Sequence, residues 1–193
     1  GLVAGTTYKI RVYTNGNNIN QSASFTLCIT TPAPITNDEC ATATPAAVNQ
    51  GLDCVLVTPG SITGATASPQ PSTCPGAEDD DVWFSFVATS ATHIITLQNI
   101  VGTATTLNSS LYTGTECGSL TFISCNNNNQ TLVNNLIPGN TYLIRVWSGS
   151  SQLEDIQFNL CIGTIVPPIT VSTTQYTKPE LVTDVLIKAT CAT

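Results

Sequence analysis

Six runs of apolar and polar residues between positions 81 and 162 show the pattern of β-strands. They cover residues 81–87, 93–100, 109–112, 120–124, 141–146 and 156–162. The runs are rich in β-branched and aromatic residues, several alternate polar with apolar positions, and Gly, Asn and Pro-Gly sequences separate them. Connections of this length suit antiparallel neighbours, so the pattern predicts an all-β, antiparallel sandwich of about eight or nine strands. Residues 59–77 show no clear period and are either a long loop or a pair of short edge strands.

A long-range repeat relates the start of the chain to its later part. The sequence LVAGTTYKIRVY at 2–13 returns as LIPGNTYLIRVW at 136–147, and FTLCI at 25–29 returns as FNLCI at 158–162. A period of about 130 residues is that of a whole domain rather than of a solenoid turn. The repeat predicts tandem modules with these bounds: C-terminal strands of a preceding β-sandwich module at 1–30, a Pro-containing linker at 31–36, a complete module at 37–163, and a linker with the start of a following domain at 164–193. Pro179 and the apolar spacing after it predict one short helix in the last segment.

The composition excludes several partner classes. Charged residues make up 9% of the 193 residues against 41% hydrophobic residues, and the net charge is −7 with only five Lys and Arg together. Such a chain has no basic patch for nucleic acid or anionic lipid. No apolar run approaches the ~20 residues that cross a bilayer, so direct membrane insertion is not expected.

The cysteines point to an oxidising compartment. Eight Cys with no Cys-x-x-Cys pair and a single His fit a disulfide framework better than a zinc site. We therefore expect an extracellular protein, either secreted or on the cell surface. Cys28 and Cys191 lie in the flanking segments, with partners outside them. The six cysteines of the complete module are expected to form Cys117–Cys125, Cys54–Cys74 and Cys40–Cys161; the main rival scheme joins Cys28 to Cys40 across the linker.

An acidic run directly precedes the first strong strand signal. Residues 78–81 read Glu-Asp-Asp-Asp, and an Asn-Asp pair stands where the complete module begins. Calcium takes six to eight oxygen ligands, which such a cluster supplies in part if the first segment folds back beside that strand. The alternative is a solvated acidic loop. The candidate calcium ligands are Asn37, Asp38, Asp79, Asp80 and Asp81.

No pattern in the chain indicates catalysis. Carboxylates adjacent in a run do not form an acid–base pair across a cleft, and the common nucleophile, zinc-protease and phosphate-loop motifs are absent from the sequence. His93 begins a strand and is expected to be partly exposed, and Arg145 is expected on the sheet surface. Trp83, Trp147, Tyr112, Tyr142 and Phe122 are either core residues or a platform for sugar rings.

Five motifs together resemble a known family. They are NDEC at 37–40, DDVWFSF at 80–86, LYTG at 111–114, CGSL at 117–120 and the segment 136–146. They resemble bacterial pre-peptidase C-terminal (PPC) domains, and more narrowly the Cys-rich version found in tandem in large secreted and cell-surface proteins of Bacteroidetes, many of them exported by the type IX system. Residues 176–187 are similar to the start of a choice-of-anchor L domain. The resemblance implies a jelly-roll-like sandwich. In the collagen-binding relatives of the family, the positions of the five candidate ligands hold calcium, although Thr36 and Ile35 stand here where those relatives have a glutamate.

These observations favour a structural function. We expect a non-catalytic structural and adhesive region of a large secreted bacterial cell-surface protein, the stalk or filament of an adhesin, in which repetition spaces the modules. Its partners are then neighbouring modules of the same polypeptide or filament, and calcium is the only cofactor considered. The alternative is an accessory module that recognises polysaccharide or matrix protein.

Overall fold

The computed structural model describes residues 5–16, 22–29, 35–70, 72–152, 154–166, 171–172 and 188–189. The chain divides into two compact units, residues 1–31 and 32–193. The described residues contain no helix with the length and apolarity needed to span a bilayer.

The first unit has no assigned strand within residues 5–16 and 22–29. Several of its large apolar side chains, among them Ile10, Val12, Phe25 and Leu27, are more than half exposed. The expectation that this segment supplies the last two strands of a preceding module therefore stays a prediction.

The second unit is a β-sandwich, which confirms the predicted all-β class. Its first sheet has the order β1-β4-β9-β6-β7, and its second has the order β2-β10-β5-β8 with β3 also paired to β10. A 3-10 helix at Cys40–Thr42 precedes the strands. The strands are β1 Thr44–Pro45, β2 Val48–Asn49, β3 Thr58–Ser61, β4 Val82–Val87, β5 His93–Gly102, β6 Asn108–Thr113, β7 Thr121–Asn126, β8 Gln130–Val133, β9 Thr141–Trp147 and β10 Ile156–Thr164.

Both sheets are mixed rather than purely antiparallel. The central pairs, such as β4 with β9 and β5 with β10, are antiparallel as predicted. The first two strands depart from the predicted antiparallel arrangement: β1 runs parallel to β4, and β2 runs parallel to β10. Thus one short segment contributes an edge strand to each sheet.

The main core lies between the sheets and follows from the period-2 alternation. Phe84 on β4, Ile144 on β9 and Leu160 on β10 are buried there. The intervening residues point to the outer faces, and on the first sheet they form a second apolar cluster with Trp83 and Leu143. The first sheet is thus covered on both sides.

The irregular stretch after β3 provides part of that outer cover. Residues 59–77 contain only the end of β3, so they are neither a structureless loop throughout nor two edge strands. From residue 62 to 81 the chain has no strand among the described residues. Ile62 and Ala65 still point into the main core. The chain then lies over the outer face of the first sheet, where the Ser68 hydroxyl accepts a hydrogen bond from the indole N–H of Trp83. We call residues 66–80 the cover loop.

Three disulfides form among the six cysteines of the complete module, but the expected pairings are wrong. The bridges are Cys40–Cys117, Cys54–Cys161 and Cys74–Cys125. The rival Cys28–Cys40 bridge is also wrong, because Cys40 is engaged and Cys28 is a free, exposed thiol.

Geometry explains each failure of the pairing scheme. Cys40 belongs to the outer cluster of the first sheet, whereas Cys161, between the core residues Leu160 and Ile162, points out from the second sheet. A disulfide needs Cα atoms within about 7 Å, less than the separation of two stacked sheets, about 10 Å. Cys117 packs against the outer cluster beside Cys40, whereas Cys125 lies on β7 and is bonded to Cys74. Cys54 with Cys74 fails because these two loop residues lie beside different sheets.

After the sandwich, the described backbone contains a short antiparallel pair, β11 Val171–Ser172 with β12 Lys188–Ala189. The helix predicted near Pro179 lies outside the described residues, as do Cys191 and the segment similar to a choice-of-anchor L domain.

Candidate functional site

The structure does not gather the five candidate calcium ligands into one site. The Asn37 side-chain amide donates to the Trp83 carbonyl at 2.8 Å, and the Asp38 carboxylate accepts from the backbone N–H and hydroxyl of Thr66, both at 2.7 Å. The Asp80 carboxylate accepts from the backbone N–H and hydroxyl of Ser148. Among the described residues no group of three or more His, Cys, Asp or Glu is placed to hold a metal. Calcium binding therefore stays a prediction.

Asp81 instead forms a buried ion pair with Arg145. Arg145 was expected on the surface, but only 1% of it is exposed, and none of Asp81 is. The guanidinium Nη2 lies 2.5 Å from Asp81 Oδ2, and Nη1 lies 2.6 Å from Glu78 Oε2. Arg145 also lies over the rings of Trp83 and Trp147, at 5.6 Å and 5.9 Å from their centroids. We call these five residues the Arg145 cluster.

The Arg145 cluster attaches the cover loop to the sheet. The guanidinium donates to the carbonyls of Gln70 and Ser68, and the Ser68 hydroxyl donates to Asp81 at 2.5 Å. Burial alone would lower the pKa of Arg145, but the hydrogen bond and charge of Asp81, with the charge of Glu78, raise it above its usual value. Arg145 is therefore a permanent cation whose neutralisation depends on carboxylates from the cover loop and the start of β4.

The aromatic residues do not form an exposed sugar platform. Trp83, Trp147, Tyr112 and Tyr142 are at most 3% exposed, and only Phe122 reaches 36%. The alternative interpretation, that they are core residues, is correct for the first four. Because these four side chains are buried, sugar rings have no access to them in this fold.

The terminal strands of the module are joined by a second polar cluster. The buried Asn49 side chain donates to the carbonyls of Ile162 and Leu56 and accepts from the Leu56 N–H. The Thr164 hydroxyl donates to the Asn49 carbonyl, and the Cys54–Cys161 bridge lies beside these contacts. We call this arrangement of β2, β10 and the bridge the terminal-strand clamp.

His93 is buried, contrary to the expectation of partial exposure. Its Nε2 accepts from the backbone N–H groups of Thr89 and Ser90, both at 3.2 Å, so Nδ1 carries the proton and donates to the Gly163 carbonyl at 3.1 Å. Burial lowers the pKa of His93. The imidazole is therefore neutral and joins a loop to a strand, and no carboxylate bonds to it among the described residues. A buried imidazole with both nitrogens engaged is poorly suited to act as a catalytic base.

One cleft of about 620 Å³ lies at the edge of the second sheet. Asn37, Ser61, Thr63, Asp155 and Gln157 contribute its polar lining, and no aromatic side chain is among its lining residues. Thr63 donates to Asp155 across it at 2.6 Å. Hydroxyl, amide and carboxylate groups in an open cleft can form hydrogen bonds with a hydroxyl-rich ligand.

A family profile described as "Galactose binding domain-like", of the kind associated with type IX secretion, matches residues 36–160. The chain belongs to this family. No curated protein matches the chain significantly. The galactose binding domain-like match covers most of residues 37–163, and it includes the Arg145 cluster and the β2 side of the terminal-strand clamp but ends one residue before Cys161.

Membership in the galactose binding domain-like family confirms the predicted association with type IX secretion. Together with the three disulfides, it indicates a secreted or cell-surface protein. Domains of this kind are typically non-catalytic binding modules, which is consistent with a surface or adhesive role and with the expectation of no enzyme activity. The finer resemblances, to PPC domains and to a choice-of-anchor L domain, stay predictions.

Proposed function

We propose that residues 37–163 form a force-bearing structural module of an adhesive cell-surface protein. The terminal-strand clamp carries this proposal. Because β2, near the module's start, runs parallel to β10 at its end, with Val48 beside Ile162, tension on the two ends pulls these strands in opposite directions along their length. The hydrogen bonds between the two strands, from the backbone and from the Asn49 side chain, are then loaded in shear and must break together. Such an arrangement resists a higher force than one in which the hydrogen bonds open one after another.

The Cys54–Cys161 bridge limits how far such a module can lengthen. It spans 107 residues of sequence. At about 3.3–3.6 Å per extended residue, it withholds about 35 nm of chain from extension. An opened module therefore lengthens by only the short segments before Cys54 and after Cys161.

Single-molecule pulling on the chain, with handles flanking the module, tests both claims. We expect reduction of all three disulfides to lengthen the unfolding step by about 35 nm. In Cys54→Ser/Cys161→Ser, tension passes through Cys40–Cys117 instead, and the step should lengthen by only about 10 nm because about 30 more residues are freed.

The clamp itself is tested by Asn49→Ala, with exposed Asn127 changed to Ala as the matched control. We expect the unfolding force to fall in the first variant and stay unchanged in the second. An oxidised module that extends by its whole contour length, or an unfolding force insensitive to Asn49, would sink the proposal.

A second candidate function is recognition of polysaccharide, which the polar cleft and the family description favour. Screening the protein against neutral glycans, with Gln157→Ala as the binding-deficient variant and distant, exposed Asn127→Ala as the control, tests it. Binding lost in the first variant alone would support the cleft; absence of any glycan ligand, or equal binding by both variants, would not.

A further inference from the structure

The first unit carries an apolar stripe whose counterparts in the complete module are buried. Its members are 47–76% exposed: Tyr8, Ile10, Val12, Tyr13, Phe25, Leu27 and Ile29. Their repeat equivalents are at most 3% exposed: Tyr142, Ile144, Val146, Trp147, Phe158, Leu160 and Ile162. Identical or similar side chains in the same order thus meet solvent in one copy and the core in the other.

The complete module shows what covers such a stripe. There β9 lies between β4 and β6, and β10 pairs with β2, β3 and β5. The ring of Phe158 packs edge-on against Phe84 of β4 at 5.8 Å. All of these neighbours come from residues 44–113, and the first unit has no equivalent of them.

The backbone of the first unit already has one feature of β9 and its turn. Gly5 has φ of 79° and its equivalent Gly139 has φ of 89°, a left-handed conformation that other residues adopt rarely. The glycine at this repeat position therefore has the same left-handed conformation in both copies.

We propose that residues 5–16 and 22–29 supply β9 and β10 of another module, which is completed by a preceding segment of the same polypeptide that resembles residues 37–135. Two outward-facing residues specify the partner further. Arg11 is equivalent to Arg145, so the partner should present a carboxylate in the position of Asp81. Cys28 is equivalent to Cys161, so its disulfide partner should be the equivalent of Cys54. This inference does not depend on a mechanical role.

The test adds the missing part to the intact chain. Residues 37–135 are fused ahead of residue 1 of the full chain, which leaves the module at 37–163 unchanged as an internal standard. We expect the exposed Cys28 thiol to be alkylated in the parent chain and to resist alkylation in the non-reduced fusion, because it is then part of a disulfide. Non-reducing peptide mapping should join Cys28 to the added copy of Cys54.

Matched variants make either outcome decisive. Ile10→Asp should restore Cys28 reactivity in the fusion and leave the parent chain unaffected. In a positive control, residues 2–29 of the fusion are replaced by residues 136–162, which are known to fit. If this control folds while the fusion leaves Cys28 reactive and unpaired, the proposal is wrong. It is also wrong if the parent chain sediments as a dimer with Cys28 protected, because the partner is then a second copy of the chain.

Discussion

Replacing Arg145 by Met gives the sharpest test of how the cover loop is held. Met preserves most of the apolar length between Trp83 and Trp147 but leaves the Asp81 carboxylate, which is wholly buried, without its cation. Removing one member of a buried ion pair costs about 3–5 kcal/mol, because the remaining charge is uncompensated. At roughly 2–4 °C per kcal/mol for a domain of this size, the melting temperature should fall by roughly 10 °C.

The repeat provides the matched control within the same chain. Arg11 occupies the equivalent position in the first unit and is exposed, so Arg11→Met should change the free energy of unfolding by less than about 0.5 kcal/mol. The assay is chemical denaturation followed by circular dichroism, under non-reducing conditions. Tryptophan fluorescence is less suitable, because the substitution itself changes the surroundings of both indoles.

A double substitution separates charge from packing. If the cost of Arg145→Met arises from the unpaired carboxylate, Arg145→Met/Asp81→Asn should regain part of the lost stability rather than lose more. The reasoning is refuted if Arg145→Met and Arg11→Met destabilise the chain equally, or if the costs of the two changes in the cluster simply add.

Three further outcomes are expected. Burial lowers the pKa of His93 below its ordinary 6.5, so below about pH 6.5 the unfolded chain binds a proton that the folded chain does not. The free energy of unfolding should therefore decrease as the pH is lowered below about 6.5, by at most about 1.4 kcal/mol per pH unit. The difference in pH profile between wild type and His93→Gln isolates this effect from Asp80, whose pKa burial raises and which acts in the opposite direction. Gly102→Ala should destabilise by more than about 2 kcal/mol in thermal melts, because φ is 141° and the new Cβ would lie 1.9 Å from the Asp155 carbonyl oxygen, whereas Gly118→Ala, in open space, should be neutral. Melting curves with and without millimolar calcium test the calcium prediction: because the described candidate ligands bond to separate partners, we expect an unchanged melting temperature, and a clear rise would support calcium binding.

The sequence predicts the long strands well because their alternation is a local property. β4, β5, β9 and β10 each begin within one residue of the predicted position. It does not predict β1 and β2, because two residues cannot display a period, and β3 contains Pro59 and Gly60, which are typical of turns. It also misses β8, which follows directly after a run of Asn residues.

Predictions about the site failed where they required tertiary information. On β9, alternation correctly places Arg145 opposite Ile144, but only the path of the cover loop determines that this outer face is buried. Neighbouring carboxylates of the acidic run point in different directions and bind different partners. Asp80 bonds to Ser148, and Asp81 bonds to Arg145. One feature of the sequence could have indicated that Arg145 is important to the fold. Arg11 and Arg145 stand at equivalent positions of the repeat, each with apolar residues on both sides.

The disulfide connectivity also affects how the module can form. The first three cysteines along the module each pair with one of the last three, at separations of 77, 107 and 51 residues. A chain that enters an oxidising compartment with its N-terminus first therefore exposes three thiols before any correct partner arrives. Oxidation at that stage can join only wrong pairs, and these must later be rearranged, a process that takes seconds to hours depending on oxidant and isomerase. We expect maturation of this module to be limited by disulfide exchange and to depend on an isomerase.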